Sequence, residues 1–216
     1  MIKSHQLILG LPYRKAFDRE DFIVASCNQD AVTWLDLYPQ WPGHALLIHG
    51  PAGCGKTHLA HIFSPHVIQA EAVTEQTWPT KNDKIVVENI DRISNEAALF
   101  HLFNWTREKG IGLLLTARKI PSFKLPDLAS RMALVQQIPI LAPDDELMFV
   151  VLAKAFDERG ILVDAAVLEY AVRQSERTFE ALHALIEQAD QLSLSQNRRI
   201  TIPIIKQALS QLAQHA

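Results

Sequence analysis

The chain has 216 residues, 48% of them hydrophobic and 21% charged, with a net charge of -3 and a pI near 6.3. That length buries one sizeable core with a smaller unit beside it, and the mild acidity excludes a broadly basic nucleic-acid surface. No apolar run approaches the roughly 20 residues that cross a bilayer, and no leading run resembles a secretion signal, so a soluble cytoplasmic protein with no membrane partner is expected.

In chain order, Gln6-Leu7-Ile8-Leu9-Gly10-Leu11 alternates leucines behind a glutamine and suits an extended segment. It reads as an arm packed on its own domain or as a peptide for a partner's groove, and the residues alone favour the first. A helix follows over 28–37, with Ala31, Trp34, Leu35 and Tyr38 on one face. The apolar run Ala45-Leu46-Leu47-Ile48 then leads into Gly50-Pro51-Ala52-Gly53-Cys54-Gly55-Lys56-Thr57, which fits G-x-x-x-x-G-K-[ST] at every required position. A strand before it and a helix after it, with His58 in the first turn, supply the context that a phosphate loop needs. Glycines let successive N–H groups face phosphates, the helix start adds its dipole, Lys56 suits the β- and γ-phosphates and Thr57 a Mg²⁺ ion. Cys54 lies inside this loop, where a disulfide with Cys27 would obstruct a nucleotide, so a reducing compartment is expected.

Further strands are read at 67–68, 84–89 and 111–117, with a helix over 95–109 capped by Ser94 and stopped by Gly110. Apolar runs without alternation suit a parallel sheet covered on both faces. From 144 onward only helices are read, over 144–158, 165–173, 175–194 and 203–214, with Asp144, Asp164 and Ser175 as caps. The fold class is therefore α/β, a parallel-sheet nucleotide-binding base with a small all-α lid. The expected division is an arm at 1–12, the base at 13–142 and the lid at 143–216.

Phosphoryl-transfer sites need an acidic strand end near the metal. Glu88 is the candidate, with Asp91 as an alternative. Asn89, next to Glu88, is an amide that cannot accept a proton from water, so slow hydrolysis is expected. Thr116 ends the strand 111–117 and points to the same crevice or caps its own loop. Arg131 and Arg177 are, taken singly, surface arginines. His58 and His61 stand at i, i+3 without the further ligands that a metal needs.

Together these segments resemble the DnaA group of AAA+ ATPases along nearly the whole chain. Residues 17–28, including Phe22, Ile23 and Val24, resemble the segment around adenine; Gly50 to Thr57 resembles Walker A; Glu88-Asn89 takes the place of Walker B, where the family has an Asp-led acidic pair. Thr116 is similar to sensor 1, Arg131 in Leu125-Pro126-Asp127-Leu128-Ala129-Ser130-Arg131 to the arginine finger, and Arg177 to sensor 2. The resemblance implies ADP or ATP with Mg²⁺. It also makes Gln6, Leu7, Leu9 and Leu11 a peptide for the DNA polymerase III sliding clamp, reversing the preference for a packed arm, although Gly10 interrupts the usual spacing. DnaA's helix-turn-helix domain has no counterpart in this sequence, so no sequence-specific DNA binding is expected, and self-association is left open. The implied activity is regulatory inactivation of DnaA: docked on the loaded clamp, the protein would present Arg131 in trans to ATP held by DnaA. A clamp-docked adaptor with a structural nucleotide site and a helicase-loader-type ATPase on single-stranded DNA are the rivals.

Overall fold

The computed structural model describes residues 19–74, 78 and 84–215. The arm residues Gln6, Leu7, Leu9 and Leu11 lie outside the described residues. Five parallel strands form one sheet in the order β2-β3-β4-β1-β5: β1 is Ala45–His49, β2 Val67–Gln69, β3 Lys84–Glu88, β4 Gly112–Ala117 and β5 Gln136–Pro139. The helices between them are α1 (Gln29–Asp36, before β1), α2 (Lys56–Phe63), α3 (Glu96–Lys109) and α4 (Pro126–Met132).

The uninterrupted apolar strands have the physical cause expected of them, because alternate side chains leave the sheet in opposite directions and both faces are covered. Leu47, Ile85, Val87, Leu113 and Leu115 pack under α3 and α4. Leu46, Ile48, Val86, Leu114 and Ile138 pack under α1 and α2 on the other face. Each fully buried Leu or Ile contributes roughly 1.5–3 kcal/mol relative to exposure. β5 was not among the expected strands: Gln136-Gln137 interrupts the apolar run, and only Ile138 of its four residues is buried.

Residues beyond β5 fold into α5 (Asp145–Asp157), α6 (Ala165–Gln174), α7 (Phe179–Gln196) and α8 (Ile202–His215) around their own core of Met148, Leu152, Phe156, Leu182, Ile186 and Ile205. Asp144 caps α5 by accepting from Leu147 N at 2.8 Å. Two of the expected caps move. Asn95, not Ser94, accepts from Ala98 N at 3.0 Å to start α3. Thr178, not Ser175, starts α7 by accepting from Ala181 N at 3.1 Å, because the Ser175 hydroxyl is spent on Ala171 O at the end of α6. No helix among the described residues is long and apolar enough to cross a membrane.

Candidate nucleotide site

The register brings the strand ends that matter to one edge. Leu46 to Ile48 pair with Leu114 to Thr116, and Ile85 to Val87 with Leu113 to Leu115. Gly50 therefore leaves β1 beside the ends of β3 and β4, at the carboxyl edge where α/β sheets open their ligand crevice. The loop backbone is shaped for close approach. Gly53 and Gly55 have φ of +74° and +92°, a region that side chains avoid, and a Cβ on Gly55 would come within 2.8 Å of the Phe22 ring. Phe22 in turn meets His58 edge-on at 5.3 Å. The segment at 22–24 thus reaches the phosphate loop through Phe22, while the Ile23 carbonyl accepts from Asn28 and Val24 stays half exposed.

Lys56 is buried and donates to Gly50 O at 2.8 Å and Pro51 O at 2.7 Å, with Cys54 Sγ at 3.6 Å. Burial pushes the Cys54 thiol up against the opposing pull of Lys56, so this cysteine lines the loop as a neutral group and not as a thiolate. His49, just ahead of the loop, is pushed down by burial and by Lys56. Thr57 opens α2 with an exposed side chain.

The acidic strand end is a closed network. Glu88 is 3% exposed and accepts from Gln69 Nε2 at 2.8 Å. Asn89, at φ 58°, donates from Nδ2 to Gln69 Oε1 at 3.0 Å and from its backbone N to Thr116 Oγ1 at 3.2 Å. Thr116 is 1% exposed. Asp91, the alternative acid, instead accepts from Arg118 N at 3.0 Å and braces the chain leaving β4. Gln69 was missed by sequence reasoning; its one signal is a polar residue ending an apolar strand.

The carboxyl-terminal helices close on this edge. Phe179 Cβ would lie 3.2 Å from a Cβ on Gly53, and His183, one turn further along α7, has Nε2 3.4 Å from Gly53 O. The leading segment is tied to α5 twice. Ser26 donates to Asp144 at 3.1 Å, and Lys154 Nζ reaches Asp21 O at 2.7 Å and Asp21 Oδ1 at 3.0 Å. Arg177 is gripped bidentately by Asp145, Nε at 2.7 Å and Nη2 at 3.0 Å. The hydrogen bonds between the two side chains, helped by their opposite charges, hold the Asp145 carboxyl below its ordinary range and raise Arg177.

Arg131 is not brought to this edge. It ends α4 shortly before β5, whose Gln136 pairs with Leu46 at the start of β1, and its guanidinium stacks over the Phe100 ring at 5.1 Å. Among the described residues no group of three or more His, Cys, Asp or Glu is arranged to hold a metal ion, and none forms around His58 and His61.

A glycine-shaped phosphate loop at the carboxyl edge of a five-stranded parallel sheet, with a helical lid seated on the loop, defines an AAA+ P-loop NTPase fold. The domain III structure of the Thermotoga maritima replication initiation protein DnaA superposes with a TM-score of 0.76 at 16% identity, covering 93% of this chain and 98% of that one. A DnaA structure bound to AMPPCP and single-stranded DNA gives 0.63 at 17%, covering 82% and 67%, and the Thermotoga maritima RuvB Holliday junction branch migration motor gives 0.64 at 17%, covering 84% and 68%. A Haemophilus influenzae protein of uncharacterised function is 30% identical over 185 residues, 76% of this chain and 80% of that protein. Residues 144–209 match the family description "Hda, lid domain". The chain is an Hda-like, DnaA-related AAA+ protein, an Hda-type lid on a fold shared with DnaA domain III.

Proposed function

We propose that the protein is a nucleotide-bound regulator that docks on the DNA-loaded sliding clamp and stimulates hydrolysis of ATP held by DnaA. The observation that carries this reading is the separation of two chemistries. The phosphate-loop edge has an amide, Asn89, beside Glu88, while Arg131 stands apart from it on α4. An amide cannot take a proton from water, so the chain's own site suits holding a nucleotide better than turning it over.

ADP or ATP would lie along the N–H groups of Gly50 to Thr57 with Lys56 at its phosphates, Phe22 to Val24 and His58 around the adenine side, and Arg177 reaching in from the lid. Thr57, and Glu88 through water, would hold Mg²⁺, which when bound would neutralise charge on the phosphates. Thr116 holds the Asn89 backbone and so fixes the strand end on which Glu88 sits. Arg131 would act on a neighbour: a trans arginine finger stabilises transition-state charge and is worth ~10³ to 10⁵ in rate in other NTPases. Docking through Gln6, Leu7, Leu9 and Leu11 raises the effective concentration near DnaA without a new contact to it.

The test is DnaA-ATP hydrolysis reconstituted with loaded clamp. The intact chain should stimulate turnover, and a variant lacking residues 1–12 should lose both stimulation and clamp pull-down while keeping ADP affinity. Full stimulation without the clamp would remove the tether, and DNA-stimulated ATPase by the chain alone would favour a loader-type motor.

A further inference from the structure

The bidentate grip on Arg177 bears directly on the nucleotide reading. Arg177 and Asp145 are 68% and 54% exposed, so their pair is no packed strut. Two residues on, Phe179 lies against Gly53, and Asp144, the neighbour of Asp145, is held by Ser26. The pair therefore sits at the seam where phosphate loop, leading segment and lid meet. It opens on a cleft of about 610 Å³ lined by Asp144, Asp145, Glu146 and Arg177 together with Ala142 and Pro143. Three consecutive acidic residues line it beside one guanidinium, and that guanidinium is already engaged by Asp145.

A guanidinium offers its donors as a rigid planar fork, and the edge that meets two carboxylate oxygens is the kind that meets two phosphate oxygens. One edge cannot do both. We propose that Asp145 is an internal competitor that positions Arg177: its carboxylate occupies the fork that a nucleotide phosphate takes, so that lid engagement is an exchange of one anion for another. The inference rests on the reading of this crevice as a nucleotide site, and adds to it the residue that sets how firmly the lid holds the ligand. Phosphate carries more negative charge than a carboxylate, so exchange runs toward the nucleotide. An exposed pair of this kind is worth at most about fivefold in an equilibrium constant, which makes Asp145 a tuner of affinity and not a block.

The experiment is Mg-ADP binding by titration calorimetry on the full chain, run as a double-mutant cycle. Asp145→Asn should tighten binding by about two- to fivefold. In an Arg177→Ala background the same change should give no more than the small gain of general charge removal, because no fork remains to be freed. Glu146→Gln, which removes a carboxylate from the same cleft without touching the Arg177 pair, separates general charge removal from release of Arg177 and should give a smaller gain. The exchange is overturned by an absent gain in Asp145→Asn, by a gain that persists undiminished in Arg177→Ala, or by an equal gain in Glu146→Gln. A parent chain that binds no adenine nucleotide overturns the underlying reading instead, and that result is distinct from normal binding with no coupling.

Discussion

The carboxyl edge of the sheet and the end of α4 treat their polar groups in opposite ways. At the edge, Glu88 and Thr116 are almost fully buried and cross-linked through Gln69 and Asn89, so each group fixes its neighbour. At the end of α4, Arg131 rests on a ring face, and Leu134 three residues on is 88% exposed. Buried, mutually bonded groups are costly to disturb and hold one geometry. A half-exposed cation on a seven-residue helix is cheap to change and faces whatever arrives from outside. Variants at the two places should therefore separate cleanly, the edge moving stability and nucleotide affinity and the α4 end moving only activity toward a partner.

The largest separation is expected from Arg131→Ala: clamp-dependent stimulation of DnaA-ATP hydrolysis should fall by ~10³ or more, while melting temperature and ADP affinity stay put. Stimulation equal to the parent would move the finger elsewhere. Lys56→Ala should do the reverse at the binding step, weakening ADP by about 10- to 100-fold through loss of charge-assisted hydrogen bonds. Equilibrium dialysis reads this directly, and unchanged affinity would detach the loop from phosphate binding. Thr116→Val leaves the Asn89 N–H without its acceptor, a loss of about 1–2 kcal/mol that should lower the melting temperature by several degrees. A variant as stable as the parent would show the network to be slack.

The smallest effect is one of pH and belongs to the α4 side. Glu96 accepts from Lys124 N at 3.1 Å and Leu125 N at 2.7 Å, at the start of α4, and these bonds hold its carboxyl below the ordinary range. A carboxylate whose folded pKa is depressed contributes fully above its unfolded pKa and loses that contribution as pH falls through the folded value. Melting curves should therefore fall on acidification below the ordinary carboxylate range, and less so in Glu96→Gln, which has no charge to lose. Parallel acid limbs would show that the anchor does not depend on charge.

The fold was legible because its signals are local. Gly50 to Thr57 carries its turn, its helix start and its lysine within eight residues, and short unbroken apolar runs bounded by turns suit a sheet covered on both faces. The contacts that finish the site were not legible, since topology sets them. Gln69 meets Glu88 and Asn89 across about 20 residues, Asp145 meets Arg177 across 32, and His183 meets Gly53 across 130. No spacing rule marks such pairs, because the side chains become neighbours only when strands register and the lid is seated. β5 failed for another reason: an edge strand with one buried residue carries little apolar signal.

The strand order has one further consequence. β1 lies between β4 and β5, so the chain that leaves β4 must vault over the phosphate-loop strand before it pairs on its far side, and α4 is part of that vault. Its span of 118–125 is a surface loop, and lengthening such a loop is inexpensive, about 0.6 kcal/mol per doubling. The bridge can therefore be lengthened while α4 stays seated through Leu128 and Met132, leaving the phosphate loop untouched. A scaffold wired this way can change the surface that the bridge presents without disturbing the loop on the other side of the strand.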